Sequence, residues 1–431
     1  MGRRSSRGSI GLHVGIGLIC MVLLASAGRG LARVSAPAFW PAVRFSSGWT
    51  LPIAPGISYS RFSVVTAAGP LSINHLRLDL NNANVRLGVG LARNRLISDD
   101  ETVSSMVRRS RAIAGINGDY FDIHDSGMPL NITVKDGQFL RSPTGWAALG
   151  LGRDGRLWMN RYLWKGSVVD LTTNESYWLS GYNSGIVPDG LIGMSNVRGY
   201  GAPVPEPGVR QTVVVLRPAT DPAGVLLLRA AEHVVPPDTT PAEEIEGRYV
   251  VREVWLQQAY YAPFPKDNIL LVGRGTAADW LRRRLTAGTP VQVNLTTAPD
   301  WHLMRDIIGG GPFLVSNGRI IDDPLSPVPH EKHTRNPVSA IGVSRDGRTA
   351  LLVEVDGRQR TSIGLTQPQL ASYMQWLGAY QAMEFDSGGS ATMVVRFPRH
   401  SKPNVVNSPS DGHERPVGDA LLVYTAGPAA P

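Results

Sequence analysis

The sequence predicts a mixed α/β (α+β) fold, strand-rich and built as a single domain with a few helices. Three observations carry this expectation. Short β-branched runs are many, stretches with helical period are few, and turn formers are abundant, with 47 Gly and 32 Pro in 431 residues. At 42% hydrophobic and 18% charged residues, the chain has enough apolar surface for a substantial core and does not have a disordered composition.

The amino-terminal segment reads as an export signal. Arg3, Arg4 and Arg7 precede an apolar run from Ile10 to Leu24, and Ala25-Ser26-Ala27 has the small-x-small cleavage pattern, so residues 1–27 are expected to be removed after Ala27. An uncleaved membrane anchor is the alternative, since Ile10 to Ala27 supplies 18 residues against the roughly 20 that a spanning helix needs. The single cysteine, Cys20, lies in this segment, so the mature chain has no thiol for disulfides, thiolate catalysis or Cys-ligated zinc. Loss of the three arginines lowers the formal charge from +8 to +5. The densest basic run, "LRRRL" from Leu281, reads as a solvated helix face, so nucleic acid is not expected as a partner.

Residues 28–55 are Pro- and Ala-rich and read as a linker, followed by an amino-terminal strand region, 56–110, packing on the core. There "FSVVTAA", "INHLRLDL" and "VRLGVGLA" alternate with the period of half-buried strands, and "TVSSMVRRS" reads as a short helix capped by Thr102 or Asp100. From Ala112 the pattern is strand, loop, strand, with Asp136-Gly137 as a hairpin turn. The stretch from Tyr182 to about Pro263 is hardest to read: "QTVVVLRP" and "GVLLLRAA" look like strands and "VVPPDTTPAEEIEG" like an exposed insertion. Further on, "PVQVNLTT", "PFLVSNGRII", "SAIGVSRDGRTALLVEVDG" and "MVVRF" read as strands, with Asn317-Gly318 and Asp346-Gly347 as turns. One helix stands among them, "TQPQLASYMQWLGAY", where Thr366 and Gln369 make a capping box and Pro368 is tolerated in the first turn. No composition break divides the mature chain into independent domains.

Chemistry concentrates in "EFDSGGSATMVV" from Glu384. On a strand Glu384 and Asp386 share a face, with α-carbons roughly 6.6 Å apart, and such a pair can titrate at different pKa values as acid and base. The bland alternative is two solvated acids before a turn. Gly388 and Gly389 let backbone N–H groups approach an anion or sugar hydroxyl. "IIGGGPFLVSNGRI" supplies a second Gly-rich stretch containing Gly310 and Gly311; it lacks the Gly-Lys-Ser/Thr ending of a P-loop, which excludes nucleotide binding of that kind. "GINGDYFD" places Asn117, Asp119 and Asp122 around Gly118, either as a site or as an Asx-stabilised turn. "PHEKHTRNP" offers His330 and His333, which lack further zinc ligands in sequence, and Arg335 as an anion clamp.

Together "INGDYF", "GGGPFLVSNGRI", "AIGVSRDGRTALLVEVDGR", "LGAYQAMEFDSGGSATMVV" and "NSPSDGHERPVGDALLV" resemble, in order and spacing, the phosphodiester glycosidase family over roughly Arg111 to Tyr424. The resemblance implies a mixed α/β fold for residues 111–425 and hydrolysis of a sugar 1-phosphodiester at the glycosidic side, releasing free sugar and a phosphomonoester. It places the family's Asp-Gly-Gly-Gly-Ser loop on Asp386, Ser387, Gly388, Gly389 and Ser390, its Asn-Gly pair on Asn117 and Gly118, and its Gly-Gly-Gly-Pro on Gly309 to Pro312. Its Glu-Arg-Pro falls on Glu414, Arg415 and Pro416, with Asn407 in the same motif. This chain departs from the family where Glu384 replaces an Asn, Ser387 replaces a Gly, and Val338 stands where an arginine is usual.

The expectation is an exported hydrolase, secreted or in the periplasm or cell envelope, cleaving a glycosidic or sugar-1-phosphodiester bond of an envelope or extracellular glycan. Asp386, Glu384 and Asp119 are the catalytic candidates. Asn117, Gly118, Gly310, Gly311, Arg335, Ser387, Gly388, Gly389, Ser390, Asn407 and Arg415 are the substrate-binding candidates. No cofactor is expected, with a divalent cation on Asp119, Asp122 and Asp386 left open. The partner is a carbohydrate or sugar-phosphodiester, and the membrane enters only through an uncleaved amino-terminal segment. The rival is a non-catalytic glycan-binding or exopolysaccharide-assembly protein.

Overall fold

The structure, a computed structural model, describes residues 43–198, 202–219, 247–260 and 267–425. The export signal, Cys20, "GVLLLRAA" and most of "VVPPDTTPAEEIEG" lie outside the described residues. Strand dominates. The described residues contain three α-helices: α1 (Val103–Arg109), α2 (Thr276–Arg284) and α3 (Gln367–Trp376). The fold is therefore mostly β, and the expected α/β mixture holds only in the sense that a few helices dress the sheets.

The first of two eight-stranded sheets runs in the order Val43–Ala54, Ile57–Thr66, Pro70–Asp79, Thr349–Val355, Val338–Val343, Gln381–Glu384, Phe313–Ser316, Arg319–Ile320. Its strands alternate as their period of two requires. Ile341, Val343, Met383 and Phe385 enter a central core shared with the two five-stranded sheets, while Val338, Ala340 and Ala382 pack on the α3 side. Burying each such side chain stabilises the fold by about 1.5–3 kcal/mol. Residues 43–54, assigned to the linker from their composition, instead form the edge strand of this sheet, paired antiparallel from Val43↔Thr66 to Ala54↔Ile57. Pro52 is compatible with a strand there, since an edge leaves half the backbone donors unpaired.

One five-stranded sheet runs Asn404–Val405, Met393–Val395, Ala114–Asn117, Asp419–Thr425, Val85–Leu91. The other runs Gln138–Arg141, Thr133–Lys135, Met304–Gly309, Ala147–Gly152, Leu157–Arg161. The second eight-stranded sheet takes all its strands from residues 167–294, including the stretch that is hardest to read. It has its own core with α2, through Val214, Leu271, Trp280 and Leu281, which also joins Ile132, Val134 and Ile307 of the neighbouring five-stranded sheet. It is an insertion between the two halves of the remaining fold.

The helices start and stop as their sequences dictate. Thr102 caps α1 by accepting the Ser105 N–H, and Thr366 and Gln369 form the capping box of α3. Arg282, Arg283 and Arg284 occupy the last turn of α2, where cations favour the helix dipole. At the hairpins Asp136-Gly137 and Asn317-Gly318 both residues have positive φ, as the tight turn demands.

Candidate active site

The site forms where the strands Ala114–Asn117 and Gln381–Glu384 end and the strand Asp419–Thr425 begins. Asn117 is fully buried. Its Nδ2 donates to Asp386 O at 2.7 Å, and its Oδ1 accepts from Ser339 Oγ at 2.7 Å and Thr392 N at 3.1 Å. Its amide therefore ties the start of the Asp386 loop to two neighbouring strands. The next peptides continue the contact: Asp386 N donates to Gly118 O, and Asp119 N donates to Asp419 Oδ1 at 2.7 Å. Glycine is required at 118, because a Cβ there stands 2.3 Å from Asp419 Oδ1.

Four carboxyls are thus buried near one another: Asp119, Asp386, Asp419 and Glu384. Burial pushes the Glu384 carboxyl up to about 8; a hydrogen bond from Gln367 Nε2 at 3.1 Å opposes this, and the charges of Asp386 and Glu331 reinforce it. Burial raises Asp386 to about 6, countered by the Ser390 hydroxyl, the Ser387 N–H and the Arg415 charge. Asp419 rises to about 7 by burial, and Asp119 stands well above the usual carboxylate range by burial and by the Asp419 charge. Groups held this far apart from one another can serve as proton donor and acceptor at one pH.

Cations approach the glycines of the loop. A Cβ on Gly389 would stand 2.0 Å from Arg415 Nη2, and one on Gly388, at φ +66, would stand 3.2 Å from Arg358 Nη2. The Arg415 guanidinium is held by Asp411 Oδ2, with Nε at 2.8 Å and Nη2 at 2.7 Å. Arg358 donates from Nε and Nη2 to Asn336 Oδ1, and Asn336 Nδ2 donates to Glu331 Oε2. A small cleft opens beside the loop, lined by Glu331, Asn336, Val338, Gln367, Glu384 and Ser387 among others.

Not every candidate meets in this place. Gly310 and Gly311 bring their segment against the Glu384 backbone: a Cβ on Gly310 would be 2.9 Å from Glu384 O, and Gly311 N donates to that oxygen. Asn407 is spent on protein, donating to Ala391 O and accepting from Met393 N. Arg335 donates to Gly364 O, and His330 and His333 are exposed. Among the described residues no group of three or more His, Cys, Asp or Glu is arranged to hold a metal ion, and Asp119, Asp122 and Asp386 form no such group.

Four residues of the site escaped the sequence reading: Asp419, Arg358, Tyr120, whose buried hydroxyl feels the Glu384 and Asp386 charges, and Arg141, whose charge acts on Asp119. Asp419 was legible as a lone acid in the apolar run "DALLV", and Arg358 as the basic residue ending "VEVDGR". Tyr120 directly follows Asp119 but carries no pattern of its own, and nothing in "QFLRSP" marks Arg141 as a site residue.

Three of the four carboxyls, the glycine loop and its arginines lie in the part of the chain that a family comparison matches. Residues 245–424 match the phosphodiester glycosidase family. The phosphodiester glycosidase match takes in Glu384 to Ser390, Arg358, Arg415 and Asp419, and leaves Asn117 to Tyr120 and Arg141 before its start. An uncharacterized SPbeta prophage-derived protein of Bacillus subtilis, YomE, is 34% identical over 91 residues, which is 21% of this chain and 13% of that protein. Two crystal structures share the fold. A hypothetical protein from Synechocystis superposes with a TM-score of 0.70 at 18% identity, covering 90% of this chain and 64% of that one. A candidate exported protein from Burkholderia pseudomallei K96243 superposes with a TM-score of 0.68 at 20% identity, covering 92% and 100%. The chain therefore spans 64% of the Synechocystis structure and a small part of the curated relative. Among the described residues no helix is long and apolar enough to cross a membrane.

Proposed function

We propose that the protein is an exported glycosidase-type hydrolase that cleaves a sugar-1-phosphodiester, or a glycosidic bond, in an envelope or extracellular glycan. The observation that carries this reading is the burial of Glu384 and Asp386 against a glycine loop onto which Arg358 and Arg415 close. In it, the phosphodiester oxygens meet the two guanidinium groups and the bare backbone of Gly388 and Gly389, since anionic oxygens take charge-assisted donors best. Glu384, protonated at neutral pH, donates the proton that the leaving phosphate oxygen or alcohol takes up. Asp386, largely ionised there, accepts a proton from water or bonds the anomeric carbon, and Asp119 is its alternative partner. The family match supports the reaction type, and the leader-like residues 1–27 support export.

Arg358 also bears on the absence of an arginine at Val338. Val338 is buried in the lining of the cleft, and Arg358, bonded to Asn336 Oδ1, stands against Gly388. The test is turnover by the mature protein of paired chromogenic substrates, a sugar 1-phosphodiester and its neutral glycoside, with Asp386→Asn as control. Cleavage of the diester, lost in the variant, is the expected result. Binding of a glycan without cleavage of any sugar in a wide panel would instead favour the non-catalytic role.

A further inference from the structure

Arg358 is exposed, yet the turn that carries it is held from both sides. Its φ is +58, a left-handed conformation that a residue with a Cβ keeps only where its surroundings hold it there. On one flank Asp356, buried at the end of the strand Thr349–Val355, accepts the Ser408 N–H on Oδ1 at 2.6 Å. On the other flank Gln359 Nε2 donates to Ser408 O at 2.5 Å, and Gln359 Oε1 accepts from Ser408 Oγ at 3.0 Å. The N–H, carbonyl and hydroxyl of one distant serine are thus all taken by the two residues that bracket Arg358. The turn is closed at its base as well: Gln359 and Ser362 exchange backbone hydrogen bonds, and Ser362 Oγ donates to Asp356 O.

Ser408 belongs to the segment that carries the other arginine. Asn407, directly before it, is tied to Ala391 and Met393 at the exit of the glycine loop. Asp411, further along, holds the Arg415 guanidinium beside Gly389. Glu414 accepts from Ser104 N at 2.7 Å and from Ser104 Oγ at 2.6 Å, which fixes the far end of the segment on the first turn of α1. Arg358 and Arg415 therefore come from two different segments to adjacent glycines, and the two segments join at Ser408. Two guanidinium groups brought to one place repel each other, so their spacing has to be imposed by the chain around them. An anion gains most from donors already held in position, because it then pays little to order them.

We propose that Asp356 and Gln359 are positioning residues for anion binding: by gripping Ser408 from both sides they hold the Arg358 guanidinium beside that of Arg415 over Gly388 and Gly389. Neither touches the substrate. That the anion is the phosphodiester of a substrate rests on the hydrolase reading above, whereas the grip itself rests on the three hydrogen bonds to Ser408. Loosening the grip leaves both charges in place and costs only their order, so it weakens binding of the anion and spares a neutral substrate.

Titration calorimetry of the full chain with inorganic phosphate tests it, beside KM and kcat for the paired diester and neutral glycoside. Arg358→Met is expected to weaken phosphate binding about tenfold. Gln359→Ala, at a half-buried position outside the core, is expected to do nearly as much, and the two together no more than Arg358→Met alone. Asp356→Ala is expected to behave like Gln359→Ala, and Asp356→Asn, which keeps an acceptor for the Ser408 N–H, like the wild type. In the same variants KM for the diester rises while kcat and the neutral glycoside are little changed; a merely structural role would move both substrates alike. Should Asp356→Ala not fold, Gln359→Ala carries the test. Unchanged phosphate affinity in a folded Gln359→Ala overturns the proposal, as does a loss that persists in full without Arg358, an equal loss in Asp356→Asn, or a wild type that binds no phosphate. Turnover is scored separately. A phosphate affinity lost through Arg358 without hydrolysis of any substrate leaves the grip standing and removes the hydrolase reading, whereas hydrolysis with phosphate affinity intact in Gln359→Ala does the reverse.

Discussion

Glu384 and Asp386 stand two residues apart, yet their carboxyls have different companions, and this separates their protonation. Glu384 meets the neutral amide of Gln367, which does little to offset burial, while Asp386 meets an N–H, a hydroxyl and the Arg415 charge. Activity is therefore expected to rise as Asp386 ionises near pH 6 and to fall as Glu384 loses its proton near pH 8, a bell readable in a kcat/KM profile. Glu384→Gln is expected to remove the limb near pH 8. Asp386→Asn is expected to lower turnover at least about 100-fold with an unchanged circular dichroism spectrum; near-normal turnover would remove Asp386 from the mechanism. The pair was legible in sequence because the period of two put Met383 and Phe385 in the core and left the acids over. Their split was not legible, since it arises from Gln367 and Arg415, which reach the acids only through tertiary packing.

At the scale of elements, the glycine loop matters for what it lets approach. Gly389→Ala would set a methyl group 2.0 Å from Arg415 Nη2 and 2.3 Å from Asp411 Oδ2, so the ion pair must move. The expected result is a KM for an anionic diester raised about tenfold, with little change for a neutral glycoside. Strands and hairpins were the most readable part of the chain, since alternation and the Asp-Gly and Asn-Gly turns are local signals. The strand Val43–Ala54 was misread because it follows a Pro- and Ala-rich stretch and carries Pro52 itself, and only its pairing with Ile57–Thr66 shows that an edge tolerates that proline. The inserted sheet was opaque for a related reason. Two of its strands, "QTVVVLRP" and "PVQVNLTT", were readable, but apart from the hairpin of Ser167–Asp170 with Glu175–Trp178 and the short Gly181–Tyr182 pair its strands pair across long separations, so no short window shows that they form one sheet.

For the whole molecule, the buried acids make stability depend on pH in a stated direction. Asp119, Asp386, Asp419, Glu384 and also Glu354, which accepts from Asn74 Nδ2 at 2.7 Å deep in the first sheet, all have folded-state pKa values above the usual range. A folded chain that holds protons the unfolded chain has already released at roughly pH 4 loses stability as pH rises, by about 1.4 kcal/mol per pH unit for each proton so held. The contribution is full below the unfolded value and gone above the folded ones, so Tm is expected to fall between pH 5 and pH 8. Glu354→Gln, which keeps an acceptor for Asn74, is expected to raise Tm at pH 8 more than at pH 5; an equal change at both would show that Glu354 is not protonated in the fold. The Asp419–Thr425 strand has another consequence, because it sits between Ala114–Asn117 and Val85–Leu91 while its first residue holds a backbone group 300 positions earlier. The acid cluster thus exists only once segments 300 positions apart have closed into one sheet. Until Asp419 is seated the cluster lacks one carboxyl and one wall, so a chain truncated before that strand is expected to lose the site whole and not by degrees.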